Sequence, residues 1–219
     1  MLTDVYEATF EDARGPETTQ IHNDGAELRV SLRGVDFVGS DFDGLSPIET
    51  HLERARALFT LQHDCLCSCR LQWVMPLAIE YRGEIGTALL AATLDLGDPT
   101  PNGGISSEVL ALELRTPVGT TRSSGHSGWF EDEMLELEKA LAGAAHIRSC
   151  ITCAYADYSP CGHGLFGSLA CFRGVKDEYL RVSDKAGIFA IWQRLTEFVQ
   201  ETYLCEQFRR RVPGSGYRG

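Results

Sequence analysis

Residues 150–171 read CITCAYADYSPCGHGLFGSLAC and hold four of the chain's eight cysteines, two of them as a Cys-x-x-Cys pair at Cys150 and Cys153. Such a turn lets two thiolates grip one tetrahedral ion, and Zn²⁺ is the usual guest. Pro160, Gly162, Gly164 and Gly167 crowd the same stretch and favour tight loops over a long regular element. The segment predicts a metal-organised loop and leaves open what that loop serves.

At 219 residues with 43% apolar side chains, the chain can bury the core of one large domain or two small ones. Its apolar runs, such as Pro76 to Ile79 and Ala88 to Ala92, fall far short of the roughly 20 residues a membrane helix needs. No membrane association is expected. The start, MLTDVYEATFED, has neither a basic nor an apolar segment, so no secretory signal is read there. A bacterial-type cytoplasmic protein is the expectation, and a reducing compartment turns cysteines toward metal binding or catalysis rather than disulfides.

The net charge of −11 is unevenly spread. Residues 1–145 carry 10 Lys+Arg against 24 Asp+Glu, a net −14, while residues 146–219 carry 10 against 7, a net +3. The acidic part repels phosphate backbones, which argues against a nucleic-acid partner. Arg209, Arg210, Arg211 and Arg218 form a basic cluster that either pairs with the protein's own acidic half or meets an anionic ligand.

Glu27 to Leu32, Leu71 to Ile79 and Val109 to Leu114 alternate polar and apolar residues between Gly, Pro and Asp-rich turns, the pattern of strands. Pro47 to Leu61 carries its apolar residues at helical spacing. After Gly128 the period changes. Trp129 to Leu141 places Phe130, Met134, Leu137 and Leu141 on one face behind an acidic first turn, and Gly143 stops the helix. A long helix is predicted from an N-cap at Ser183 through Arg211, with Ile188, Ile191, Leu195, Phe198, Thr202 and Cys205 on one stripe. The expected fold is α+β. A β-rich part, sandwich-like or an open antiparallel sheet, spans residues 1–125, and a helical, zinc-stapled part spans residues 126–219.

A structural zinc site needs four ligands. Cys171 follows the glycine-rich loop and Cys205 ends the predicted helix, so Cys150, Cys153, Cys171 and Cys205 are the expected quartet, tying loop, strand and helix together. A site of this kind supplies roughly 10 kcal/mol or more and would hold a loop unable to bury enough apolar surface alone. The competing reading makes Cys171 and Cys205 small buried hydrophobes. Cys65, Cys67 and Cys69 alternate with Leu66 and Ser68, which on a strand would turn all three thiols to one side, as a packed face or, with His63, a second soft-metal site.

Asp157 and His163 are the candidate catalytic residues, flanked by Tyr155 and Tyr158: beside a metal with an open position they could act as acid and base. Four cysteine ligands would close that position and leave both as support for the loop. Gly162 to Gly167 matches G-x-G-x-x-G but lacks the strand before and the helix after that a dinucleotide site requires. His51-Leu52-Glu53 lacks the nearby Pro-Cys-x-x-Cys of a zinc deaminase, and His126 has no nucleophile elbow to serve.

The blocks GWFEDEMLELEKAL (128–141), CITCAYADYSPCGHGLFGSLACFRG (150–174) and FVQETYLCEQFRRRVPGSGYRG (198–219) together resemble an uncharacterised family of bacterial proteins, a domain of unknown function. The resemblance spans roughly the last 90 residues and leaves residues 1–125 without one. It implies the same four cysteines as the layout does and brings no activity. The expectation is therefore a zinc-binding protein acting as a binding or interaction module. The alternatives are a metal- or thiol-dependent hydrolase or redox enzyme, and an acidic immunity or accessory protein for a basic partner. A protein partner or a small-molecule ligand stays open.

Overall fold

The computed structural model describes residues 4–218. Alternating side chains in the first part produce β1 (Asp4–Asp12), β2 (Gly15–Asn23), β3 (Leu28–Leu32), β4 (Val35–Gly39) and β5 (Ser46–Pro47). The helix α1 (Leu52–Leu58) and the short pair β6 (Leu61–Gln62) and β7 (Cys65–Leu66) lead into the long strands β8 (Cys69–Tyr81) and β9 (Glu84–Leu96). β10 (Glu108–Thr116), β11 (Gly119–Arg122), α2 (Phe130–Ala140) and β12 (Ala145–Ile147) follow. Ten strands form one open antiparallel sheet in the order β11-β10-β9-β8-β1-β2-β3-β4-β5, with β12 on β8. Along one edge β8 pairs first with β1, at Arg70 to Trp73, and then with β12, at Ile79 to Tyr81.

Two hairpins, β3–β4 and β8–β9, turn on the same dipeptide, Arg33-Gly34 and Arg82-Gly83, both residues at positive φ. That geometry matches the right-handed strand twist, and glycine adopts it without strain. Every second residue of β8, from Cys69 to Ile79, is buried, so one sheet face is apolar and the other solvated. The apolar face is closed by α1, α2 and the segment around Phe42. Phe42 stacks on Trp73 with ring centroids 4.0 Å apart, and Phe166 touches both Phe42 (5.0 Å) and Phe130 (4.9 Å). This aromatic stack fixes the glycine-rich loop against the sheet.

The C-terminal part departs from the expected helical layer. Beyond α2 its described residues hold a second antiparallel sheet, β13 (Ala156–Asp157), β14 (Leu169–Cys171) and β15 (Glu197–Val199), with two short α-helices, α3 (Lys176–Tyr179) and α4 (Lys185–Ile191). The helix predicted over 183–211 stops at residue 191, passes through one tighter turn and becomes β15. From residue 196 the backbone bonds go to the neighbouring strand: Thr196 N–H donates to Cys171 O, and Leu169 to Cys171 pair with Glu197 to Val199. β-branched Thr196 and Val199 suit a strand, and Glu201, fully buried, does not belong to a solvated helix face. Cys205 consequently sits in a loop rather than on a helical stripe.

The row of thiols at 65–69 is also broken. Cys65 lies in β7, Cys69 opens β8, and Ser68 between them takes φ 51°, so no single strand carries all three. Burial, then the neighbouring Cys67, pushes the Cys69 thiol up to about 12, the state of an inert packed residue.

Candidate metal centre and acidic recess

Three chain segments carry the four predicted thiols into one region of the fold. Cys150 and Cys153 flank a 3-10 turn over Cys150–Thr152 that follows β12. Cys171 ends β14, where it pairs with Ala156 and Glu197. The segment carrying Cys205 docks on that turn: Cys150 N–H donates to Tyr203 O at 2.7 Å, Ala154 N–H to Arg209 O at 2.7 Å, and Cys153 bridges to Arg210. Burial pushes the Cys150 thiol well above its ordinary value, and Cys153, Cys171 and Cys205 each push it further. Burial likewise raises Cys171, with Cys153 and Cys205 adding to the rise and Arg173 opposing it. Among the described residues, however, no three His, Cys, Asp or Glu side chains converge closely enough to hold a metal ion.

The donors still suit zinc in kind and number. They are four soft thiols, three buried and one half-buried, all free. Arg173 lies against one of them, its Nη1 3.9 Å from the Cys171 sulfur, while also pairing with Glu197. Ser149 Oγ, one residue before Cys150, is buried without a hydrogen-bond partner.

Asp157 follows Ala156, the pairing partner of Cys171, whereas His163 lies among Trp129, Glu131 and Tyr158. Asp157 is buried and spent on structure. Its Oδ2 accepts from Tyr179 OH (2.7 Å) and Arg218 N–H (3.2 Å), and its Oδ1 from Tyr158 N–H (2.9 Å). Below it, Glu201 accepts from Tyr158 OH and Gly167 N–H; burial lifts its pKa to about 7 against the pull of those donors. His163 stacks on the Tyr158 ring at 4.0 Å, bonds Gly164 O through Nδ1 and holds Nε2 3.5 Å from Glu131. No hydrogen bond joins Asp157 to His163; Tyr158 touches both.

The opposite side of His163 faces a recess of 190 Å³ whose walls include Asp43, Glu108, Trp129 and Leu165. Burial, reinforced by Asp43, raises Glu108 to about 7 and Asp41 to about 8. Among the described residues no cation lies within ion-pair distance of Asp41, Asp43 or Glu108. Two other half-buried carboxylates are matched, Glu131 by Arg218 at 2.9 Å and Glu138 by Arg210 at 2.8 Å. Sequence reasoning missed this recess because GSDFDGLSP reads as a turn; two acids one residue apart ahead of Gly44 were its only trace.

No helix among the described residues is long and apolar enough to cross a membrane. No curated protein and no solved structure matches the chain. A family model does match, over residues 4–156; it takes in Asp43, Glu108 and Trp129 of the acidic recess together with Cys150 and Cys153, and ends before Asp157, His163, Cys171 and Cys205. With more than half of its length matched, the chain belongs to a family of unknown function, DUF6304.

Proposed function

We propose that the protein is a zinc-held binding module in which Cys150, Cys153, Cys171 and Cys205 take one structural Zn²⁺. What supports this reading is that four free thiols from three chain segments lie in one region of the fold, with an arginine at Cys171. Zinc bound there supplies folding energy to loops that have little regular structure of their own. The residues do the rest: Asp157 and Glu201 accept hydrogen bonds from backbone N–H and hydroxyl groups, and His163 packs the loop onto Tyr158. Elemental analysis of the purified protein tests it. Stoichiometric zinc in the wild type and loss of most of it in both Cys150→Ser and Cys205→Ser are expected, whereas full metal content in both variants removes the quartet.

The uncompensated recess favours a basic protein partner. Elsewhere in this fold guanidinium groups sit over aromatic rings and beside carboxylates, as Arg148 does over Phe208 with Glu80. Arg33 lies 5.4 Å from the Phe10 centroid with Asp12 and Glu17, and Arg218 lies 5.4 Å from the Tyr158 centroid with Glu131. Trp129, Asp43 and Glu108 bring the same kinds of side chain, an aromatic ring and carboxylates, to one recess without a cation. At 190 Å³ the recess suits a side-chain head group rather than a whole cofactor. Fluorescence anisotropy with labelled oligoarginine, against oligoglutamate as control, is expected to show binding that weakens about tenfold in Glu108→Gln and in Trp129→Ala. Equal affinity in both variants contradicts this assignment.

A further inference from the structure

The C-terminal tail, α2 and the Cys150–Thr152 turn line an open pocket of 440 Å³, within the range that holds small organic ligands. Leu135, Ile151 and Pro213 make its walls apolar, and Arg210, Arg211 and Arg218 bring three guanidinium groups to it against one carboxylate, Glu138. Two of those cations are matched: Arg210 by Glu138 at 2.8 Å, and Arg218 by Glu131 at 2.9 Å.

Arg211 is different. Its Nη atoms donate to the carbonyl oxygens of Cys153, Ala156 and Ser215 and to Tyr179 OH, and among the described residues no carboxylate lies within ion-pair distance of it. Its Nε is buried and has no hydrogen-bond partner. Carbonyl dipoles orient a guanidinium without cancelling its charge, and a buried charged donor left unmet is unfavourable.

We infer that this cavity binds a small organic carboxylate, its anionic head on Arg211 and its apolar body against Leu135, Ile151 and Pro213. Inorganic phosphate offers the charge without the body, and an alcohol the body without the charge. The site is separate from the acidic recess and does not depend on the basic-partner reading.

Isothermal titration of the purified full chain with benzoate and with hexanoate tests the inference. Saturable binding of both is expected, with inorganic phosphate and hexanol at least tenfold weaker. Leu135→Trp fills the cavity from a side chain already 39% exposed, so the fold tolerates it, and at least a tenfold loss of carboxylate affinity is expected. Arg211→Lys, which keeps the charge but lacks Nε–H, is expected to weaken binding likewise; should it fail to fold by circular dichroism, Leu135→Trp alone decides. The inference falls if neither carboxylate binds the folded wild type, if phosphate binds as tightly, or if Leu135→Trp binds with unchanged affinity.

Discussion

Glu108 shows how a single residue ties stability to pH in this protein. Its carboxyl titrates near 7 in the fold, because burial and Asp43 disfavour its charge, against about 4.5 when exposed. Between those values the native state holds the extra proton, so the group's stabilising contribution is complete below about pH 4.5 and is lost as pH rises through 7. Glu108→Gln, permanently neutral, is therefore expected to leave stability unchanged at pH 4.5 and raise it at pH 8. Because the side chain is only half-buried, solvent screening reduces the gain to about 1 kcal/mol, or roughly 2–4 °C in Tm, which thermal denaturation at the two pH values would reveal. Gly216 is constrained by space instead. It has φ +76°, and a Cβ there would lie 2.7 Å from the ring of Tyr179, itself fully buried. Gly216→Ala should lower stability by about 1–3 kcal/mol beyond the loss in Gly214→Ala, where φ is +79° but the space is open. Equal losses in chemical denaturation would exclude the contact as the cause.

At the scale of elements, periodicity located the helices that cover the sheet and failed where a helix would have had to stand alone. α2 follows its apolar stripe because Phe130, Met134 and Leu137 are all buried, and its acids occupy the first turn as the helix dipole prefers. α4 starts one residue later than expected, with Asp184 rather than Ser183 as N-cap, its carboxylate accepting from Gly187 N–H at 2.7 Å. Asp184→Ala is expected to cost about 1 kcal/mol, and Ser183→Ala almost nothing, in urea unfolding. Beyond α4 the same 3.6-residue spacing continues through Leu195 and Phe198, yet Phe198 is 55% exposed on β15. Spacing alone cannot separate a helix from a strand when a partner strand is available to take the backbone bonds.

Across the whole molecule, the acidic N-terminal part and the basic tail meet through a few ion pairs, of which Arg218 makes the most deeply placed. Its guanidinium donates to Glu131 and to Ile151 O, and its backbone N–H to Asp157, joining the last turn of the chain to α2 and β13. Arg218→Met leaves Glu131 without its cation in a mostly buried setting, and breaking such a pair costs about 3–5 kcal/mol. The expected outcome is a lower urea midpoint together with faster tryptic cleavage around Arg209 to Arg211. An unchanged midpoint would show that the tail docks by its backbone contacts alone.

The alternation of β3, β8 and β10 and the stripe of α2 were legible because each is a local pattern that one apolar face requires wherever it packs. The cysteines stood out in the sequence because soft donors are rare, but among the described residues no three potential ligands converge on one point. What no local pattern carries is which segments meet. The pairing of β15 with β14 rather than a continued helix, the close approach of Cys205 to Cys150, the carboxylates of Asp43 and Glu108 facing one recess from positions 65 residues apart in the chain, and the docking of Arg218 on Glu131 all depend on long-range closure. Such contacts are selected by the burial and hydrogen bonding of the completed fold, so tertiary structure decided the site while sequence decided the parts from which it was made.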